Sequence, residues 1–263
     1  KIKLNHISIL FFFTLHITCQ TQPTPSVLIQ LFKKKAVEFK NENNFNKAHF
    51  YFINNNWDST LVYSMKQLTT SNNKELQDYS HFFRGYSFRE KKLFKEAYSE
   101  MLLVSKKFEF YPLVNKNLGQ ILLELKEFKK AIHYFKEVEN LPTTTIQGFK
   151  ISVIYTNIGI CYLHLNQFPE AETYLLKSLQ LQEKEKDIAS LVYLYMNIAN
   201  LYYNQYKDAQ AIPFFEKAYK LSKKVNAYDK KRDASLNMAV VEENRGNFKQ
   251  ALAYRKESEQ WKD

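Results

Sequence analysis

The sequence predicts an all-α protein assembled from repeated helix pairs, and three observations carry that prediction. Gly119, Gly159, Ala199 and Ala239 are spaced by 40 residues, as are Ala131, Ala171, Ala211 and Ala251, each of which lies 12 residues after its partner in the first set. A fixed period of this length marks supersecondary units that stack on one another. Apolar residues inside each interval fall at helical spacing, as in Leu118, Leu122 and Leu125 followed by Ile132 and Phe135. Gly and Pro are scarce, five and six in 263 residues, which favours long uninterrupted helices.

Taken from the N-terminus, the chain opens on Lys1 and Lys3 before an apolar stretch from Ile7 to Ile17, then Thr18-Cys19-Gln20 and a polar run to Ser26. A basic start, a short apolar core and small residues before a polar segment make the layout of an export signal. The apolar core, about 11 residues, is too short to span a bilayer as a helix. Leu15-His-Ile-Thr-Cys19 resembles the lipobox of bacterial lipoproteins, although His16 and Thr18 depart from its usual residues. That resemblance implies that residues 1–19 are removed or anchored as a signal peptide, that Cys19 is the lipidation site, and that 20–27 form a tether. It also implies a bacterial cell-envelope location, membrane-anchored and facing the periplasm or the exterior.

The repeats occupy the remainder, 28–263, with units expected at about 29–62, 78–111, 112–145, 152–185, 192–225 and 232–263. The two upstream units are marked by Ala36 with Ala48 and Gly85 with Ala97, again 12 apart. Position seventeen is aromatic in Phe45, Phe94, Phe128, Phe168 and Phe248, with Asp208 the exception. Together these residues resemble the tetratricopeptide repeat, which has a small residue at position eight and Ala at position twenty. The resemblance implies an α-solenoid, a right-handed superhelix of about six helix pairs with a concave groove. Pro169 suits the first turn of a second helix, Pro112 and Pro142 lie near unit boundaries, and Pro213 sits less comfortably near a helix start. The 40-residue period implies helices lengthened by about a turn in the last four units. Segment 56–77 exceeds a normal connection, and Trp57, Leu61, Val62, Met65 and Leu68 predict an additional helix there.

Composition argues against several function classes. The formal charge is +11, spread as about +5 over 26–111, about 0 over 112–185 and about +4 over 186–263. Runs of basic residues stop at three, and most are Lys rather than the Arg that clamps phosphates or reads bases, so no nucleic-acid partner is expected. No phosphate-binding Gly loop, HExxH or Gly-x-Ser-x-Gly is present, and the six His are scattered; no enzyme activity, cofactor or metal is expected. Cys161 reads as a buried structural thiol.

One polar column remains. Position six of the last four units is Asn117, Asn157, Asn197 and Asn237, although Asn is a mediocre helix former. In the repeat family this position faces the groove, and the column resembles the asparagine ladders of kinesin light chain and of Gram-positive peptide-pheromone receptors. The resemblance implies that these amides bind the backbone of an extended peptide, with Gln120, Leu163, Tyr193, Asn200 and Asn204 beside them. Lys116, Leu123, Glu124, Val153, Ile160, His164 and Tyr203 fall at other groove positions. The leading expectation is a non-catalytic module, exported and lipid-anchored, that holds a protein or extended peptide. The alternative is the sensory region of a membrane-bound regulator or kinase, because the last repeat, Ala251 to Asp263, resembles those that end bacterial sensors.

Overall fold

The computed structural model describes residues 26–142, 149–185 and 187–261. The expected leader, Cys19 and most of the tether lie outside them. Thirteen α-helices and no strand occur among the described residues. The chain divides into two compact units, of which the first holds α1–α6 and the second α7–α13.

In the first unit, α1 (Ser26–Glu38) precedes α2 (Asn43–Ile53), α4 (Lys74–Glu90) precedes α5 (Phe94–Leu102), and α6 (Tyr111–Glu124) ends the unit. Between them α3 (Trp57–Thr70) fills the long interval noted in the sequence. Its start is fixed by Asn56, whose side chain accepts from the Ser59 amide at 3.1 Å, and α4 is capped likewise by Asn73. The core here is aromatic. Phe32 is fully buried, with the rings of Phe52, Tyr79, Phe83 and Phe110 all within 5.2–6.0 Å and mostly edge-on.

Helix α3 packs by an unexpected face. It buries Thr60, Ser64 and Gln67, while Val62 and Met65 of the predicted apolar set stay about half exposed. Small polar side chains let the backbones approach, and Gln67 has a second task at the start of α2. Its Oε1 accepts from the Phe45 amide at 2.9 Å, and its Nε2 donates to Glu42 at 2.9 Å, so it caps a helix that lacks a cap of its own.

The second unit runs α7 (Phe128–Glu139), α8 (Ile151–His164), α9 (Phe168–Glu185), α10 (Ile188–Tyr203), α11 (Asp208–Ser222), α12 (Tyr228–Asn244) and α13 (Phe248–Glu259). Its core is mainly aliphatic, with Leu175, Leu194, Ile198, Ala199 and Leu201 fully buried. The longer period is met unevenly: α9 reaches 18 residues, whereas α6 and α7 keep 14 and 12, and their repeat is lengthened beyond Glu139 instead. Pro213 lies inside α11, where it withholds one amide from the helix ladder.

The small residue at position eight has a direct physical reason. A Cβ added to Gly159 would lie 2.7 Å from Leu175 Cγ, and one added to Gly85 would lie 2.8 Å from Met101 Cγ. At these two glycines position eight of one helix sits against position twenty-four of its partner, closer than a side chain allows.

Six of the helix turns share one geometry. Asn55, Lys92, Lys126, Asn166, Tyr206 and Gly246 all have φ of 56–76°, the last five each at position fifteen of its repeat. At each, the next amide reaches back five residues, as from Leu93 to Phe88 O at 2.9 Å and from Asn247 to Glu242 O at 2.8 Å. The left-handed residue's own amide bonds three residues back, completing the Schellman arrangement that satisfies the last carbonyls of a helix.

Candidate functional site

Residues spaced by four, then three, then four share one stripe of a helix. On α8 that stripe is Val153, Asn157, Ile160 and His164; on α10 it is Tyr193, Asn197, Asn200 and Asn204; on α12 it continues through Asn237. These stripes belong to the second unit. Asn117, with Gln120 and Glu124, belongs to α6 of the first.

The column is buried. Asn117 and Asn197 are fully buried, and Asn157 and Asn237 are 6% exposed. Asn200 is half-buried and Asn204, the C-cap of α10, is exposed. Tyr193 is half-buried, and Leu163 lies in the apolar cluster with Leu194 and Ile198. His164 is exposed and stacks on Phe128, ring centroids 4.6 Å apart.

The amides differ in what they bind. Asn117 Nδ2 donates to Leu113 O one turn back at 2.7 Å, and its Oδ1 accepts from Arg89 Nη1. Asn197 Nδ2 makes the same backbone bond, to Tyr193 O at 2.8 Å, but its Oδ1 is buried with no partner. Asn157 leaves Nδ2 buried with no partner. A buried amide atom without a hydrogen bond is destabilising by roughly 1–3 kcal/mol, so such atoms in a native protein ask for an explanation.

In the first unit the explanation is internal, and the sequence did not reveal it. Arg89 is a buried residue of α4 whose guanidinium lies 4.3 Å from the Tyr86 ring centroid. It donates to Asn117, to Gln120 Oε1 at 3.0 Å, and to the neighbouring carboxylate of Glu90. The available signal was its position, since the equivalents in later repeats are Leu123, Leu163 and Tyr203. Glu124, on the same stripe as Asn117, is pushed up to about 7 by burial, against the attraction of Lys92 and Arg89. Thr156, next to Asn157 in the chain, belongs to a second polar group that pattern reading missed. Ser178 Oγ donates to Ser152 O at 2.7 Å and meets Thr156 Oγ1 at 2.8 Å, and Gln182 Nε2 donates to Thr156 at 3.1 Å.

Among the described residues, no cluster of three or more His, Cys, Asp or Glu is placed to hold a metal, and no helix is long and apolar enough to cross a membrane. Burial raises the Cys161 thiol far above its ordinary range, which fits an inert packing role.

Stacked helix pairs with a polar column along their first helices define a helical-repeat scaffold of the kind that binds other proteins. Descriptions of the tetratricopeptide repeat match residues 150–224 and 117–142, and the chain is a tetratricopeptide-repeat protein. It is 28% identical over 149 residues to outer dynein arm-docking complex subunit 4 of Bos taurus, covering 54% of this chain and 21% of that one. It is 28% identical over 146 residues to response regulator aspartate phosphatase I of Bacillus subtilis (strain 168), covering 55% and 31%. The chain thus spans about a fifth to a third of these curated relatives. Among solved structures it resembles PilW, a widely conserved type IV pilus biogenesis factor, with TM-score 0.63 and 18% identity over 81% of this chain and 90% of that one. It also resembles the apo form of RapI, with TM-score 0.61 and 15% identity over 89% and 79%. At such identities the likeness concerns the fold alone.

Proposed function

We propose that the chain is a non-catalytic binding module that holds an extended segment of another protein along the first-helix stripes of its second unit. The observation that carries this reading is the pair of buried, unpartnered amide atoms, Asn157 Nδ2 and Asn197 Oδ1, in one column. A peptide backbone offers a carbonyl and an amide N–H in alternation, which is what a free donor on one rung and a free acceptor on the next require. Helices that pack 8–10 Å apart put one rung opposite about three extended residues. Val153, Tyr193 and Asn200, half-buried on the same stripes, supply contacts beside the amides. The deciding experiment screens an immobilised peptide array with the full chain and with the Asn157→Ala/Asn197→Ala double variant. Peptides that bind the parent should lose affinity by tens-fold or more, roughly 2–4 kcal/mol, while thermal unfolding is unchanged. Equal binding by parent and variant refutes the reading.

Export and lipid anchoring through Cys19 belong to the same proposal and rest on the leader sequence. Acyl labelling that persists in Cys19→Ala overturns the anchor without touching the binding stripe.

A second reading is the sensory part of a signalling protein, favoured by the likeness to response regulator aspartate phosphatase I in both sequence and fold. It predicts that peptide binding alters a partner activity encoded in the same protein or operon. The module reading predicts partner capture alone.

A further inference from the structure

We propose that the outer surface of α2 and α3 is a docking surface for an anionic lipid bilayer. The starting point is the packing of α3, which turns Thr60, Ser64 and Gln67 inward, keeps Leu61 and Leu68 half-buried and leaves Val62 50% and Met65 49% exposed. On the neighbouring helix Phe50 is 57% exposed, so three large apolar side chains meet solvent on one hairpin. Single exposed apolar residues are ordinary, but a group of them beside uncompensated charge marks an interaction surface.

The charge is positive. Lys47 and Lys66 both lie over the Tyr63 ring, 5.2 and 5.1 Å from its centroid, and Tyr63 stacks on Tyr51 at 5.5 Å, which in turn meets Phe50 at 5.3 Å. Neither Lys has a carboxylate partner among the described residues, whereas Lys35, Lys91, Lys150 and Lys177 all do. Helix α2 carries no acidic residue, and the one on α3, Asp58, is engaged by Lys91. Val62, Met65, Lys66 and Thr69 follow one another at i, i+3, i+4 and i+7, a single exposed stripe.

The mixture selects the partner. Tyr rings with apolar bodies and polar tips, Lys stems that lie along them and Lys heads at the rim suit the boundary between lipid headgroups and acyl chains. An acidic protein would need carboxylates fixed opposite two mobile ammonium groups. A bilayer supplies its negative field wherever they point. Nothing in this reasoning uses the amide column, so the two proposals stand or fall apart.

The test uses the full chain carrying Cys19→Ala and Met65→Cys, with a polarity-sensitive dye on the new thiol; Cys161 is buried and stays unlabelled. A second sample carries the dye through Lys249→Cys, an exposed position of the second unit. Vesicles of phosphatidylcholine with about one-third phosphatidylglycerol should brighten and blue-shift the dye at 65 and not at 249, and pure phosphatidylcholine should do neither. Adding Lys47→Gln with Lys66→Gln should raise the lipid concentration needed for half the change about thirtyfold, with thermal unfolding unchanged because both side chains are exposed. A dye at 65 that stays in water while the leader enters vesicles overturns the proposal. So does an equal response to neutral vesicles, or a response to soluble polyglutamate and none to vesicles, which would assign the surface to an acidic protein.

Discussion

Asn117 and Asn197 occupy the same position of two different repeats, both are fully buried, and both donate to the carbonyl one turn back. They differ in one acceptor: Arg89 fills Asn117 Oδ1, and nothing fills Asn197 Oδ1. The first rung is a finished structural contact of the first unit, the other an open valence in the second. Burial alone therefore does not separate a structural amide from a ligand-directed one; the state of its partners does.

The largest expected effect breaks the closed rung. Asn117→Ala removes an acceptor from a buried guanidinium and should destabilise the chain by about 2–3 kcal/mol in urea unfolding. Asn197→Ala deletes an unsatisfied acceptor and should remain within about 1 kcal/mol of the parent. Similar losses at both sites would erase the distinction.

Next comes the packing of position eight. Gly159→Ala drives a methyl against branched Leu175, and should lose about 1–3 kcal/mol by calorimetry. Gly85→Ala meets unbranched Met101, whose side chain can swing aside, and should lose about half as much. The two units would then differ in plasticity as well as in polarity.

Glu124 gives the first unit a pH dependence. Its native carboxyl titrates at about 7, so between the ordinary value of 4.5 and that point the folded state holds a proton that the unfolded chain releases. Its contribution is full below about 4.5 and is lost as pH rises to about 7. Screening at this partly exposed group limits the loss to about 1 kcal/mol. His49 acts oppositely: burial, aided by Lys33, lowers it to about 4, so its contribution is present above 6.5 and lost as pH falls towards 4. Comparing Glu124→Gln with the parent over pH 4.5–7 isolates the carboxyl, and parallel curves would show that it does not titrate there. Peptide binding by the second unit, which relies on neutral amides, should be flat over the same range.

The smallest effect concerns the turns. Lys126→Gly relieves a left-handed side-chain conformation and should stabilise by about 0.5–1 kcal/mol, and Gly246→Lys should reverse it in the second unit.

Much of the fold was legible because the repeat depends on volume. A position with room for at most a methyl group announces itself as Gly or Ala every 40 residues, and at Gly159 even the methyl would clash. The turns were less legible, since Gly246, Asn166 and Asn55 are residues that favour φ > 0, while Lys92, Lys126 and Tyr206 are held there by the backbone bonds around them. The face of α3 was misleading for a related reason. Hydrophobicity points to Leu61, Val62, Met65 and Leu68, yet close approach and the capping role of Gln67 decide the packing. At the candidate site the column was visible, but its burial and the arrival of Arg89 depend on neighbouring helices, which spacing along one helix does not encode.

The repeated left-handed turn also determines where the chain tolerates a change of length. One residue added at Gln167 would rotate α9 by about 100° about its axis and swing Leu175 away from Gly159. The interval between the first two pairs already accommodates a whole extra helix, α3, which itself follows a left-handed turn of the same kind at Asn55. A reporter domain inserted between α3 and α4, at Ser71–Asn73, should therefore leave the α8–α9 register untouched, where a single residue at Gln167 would destroy it.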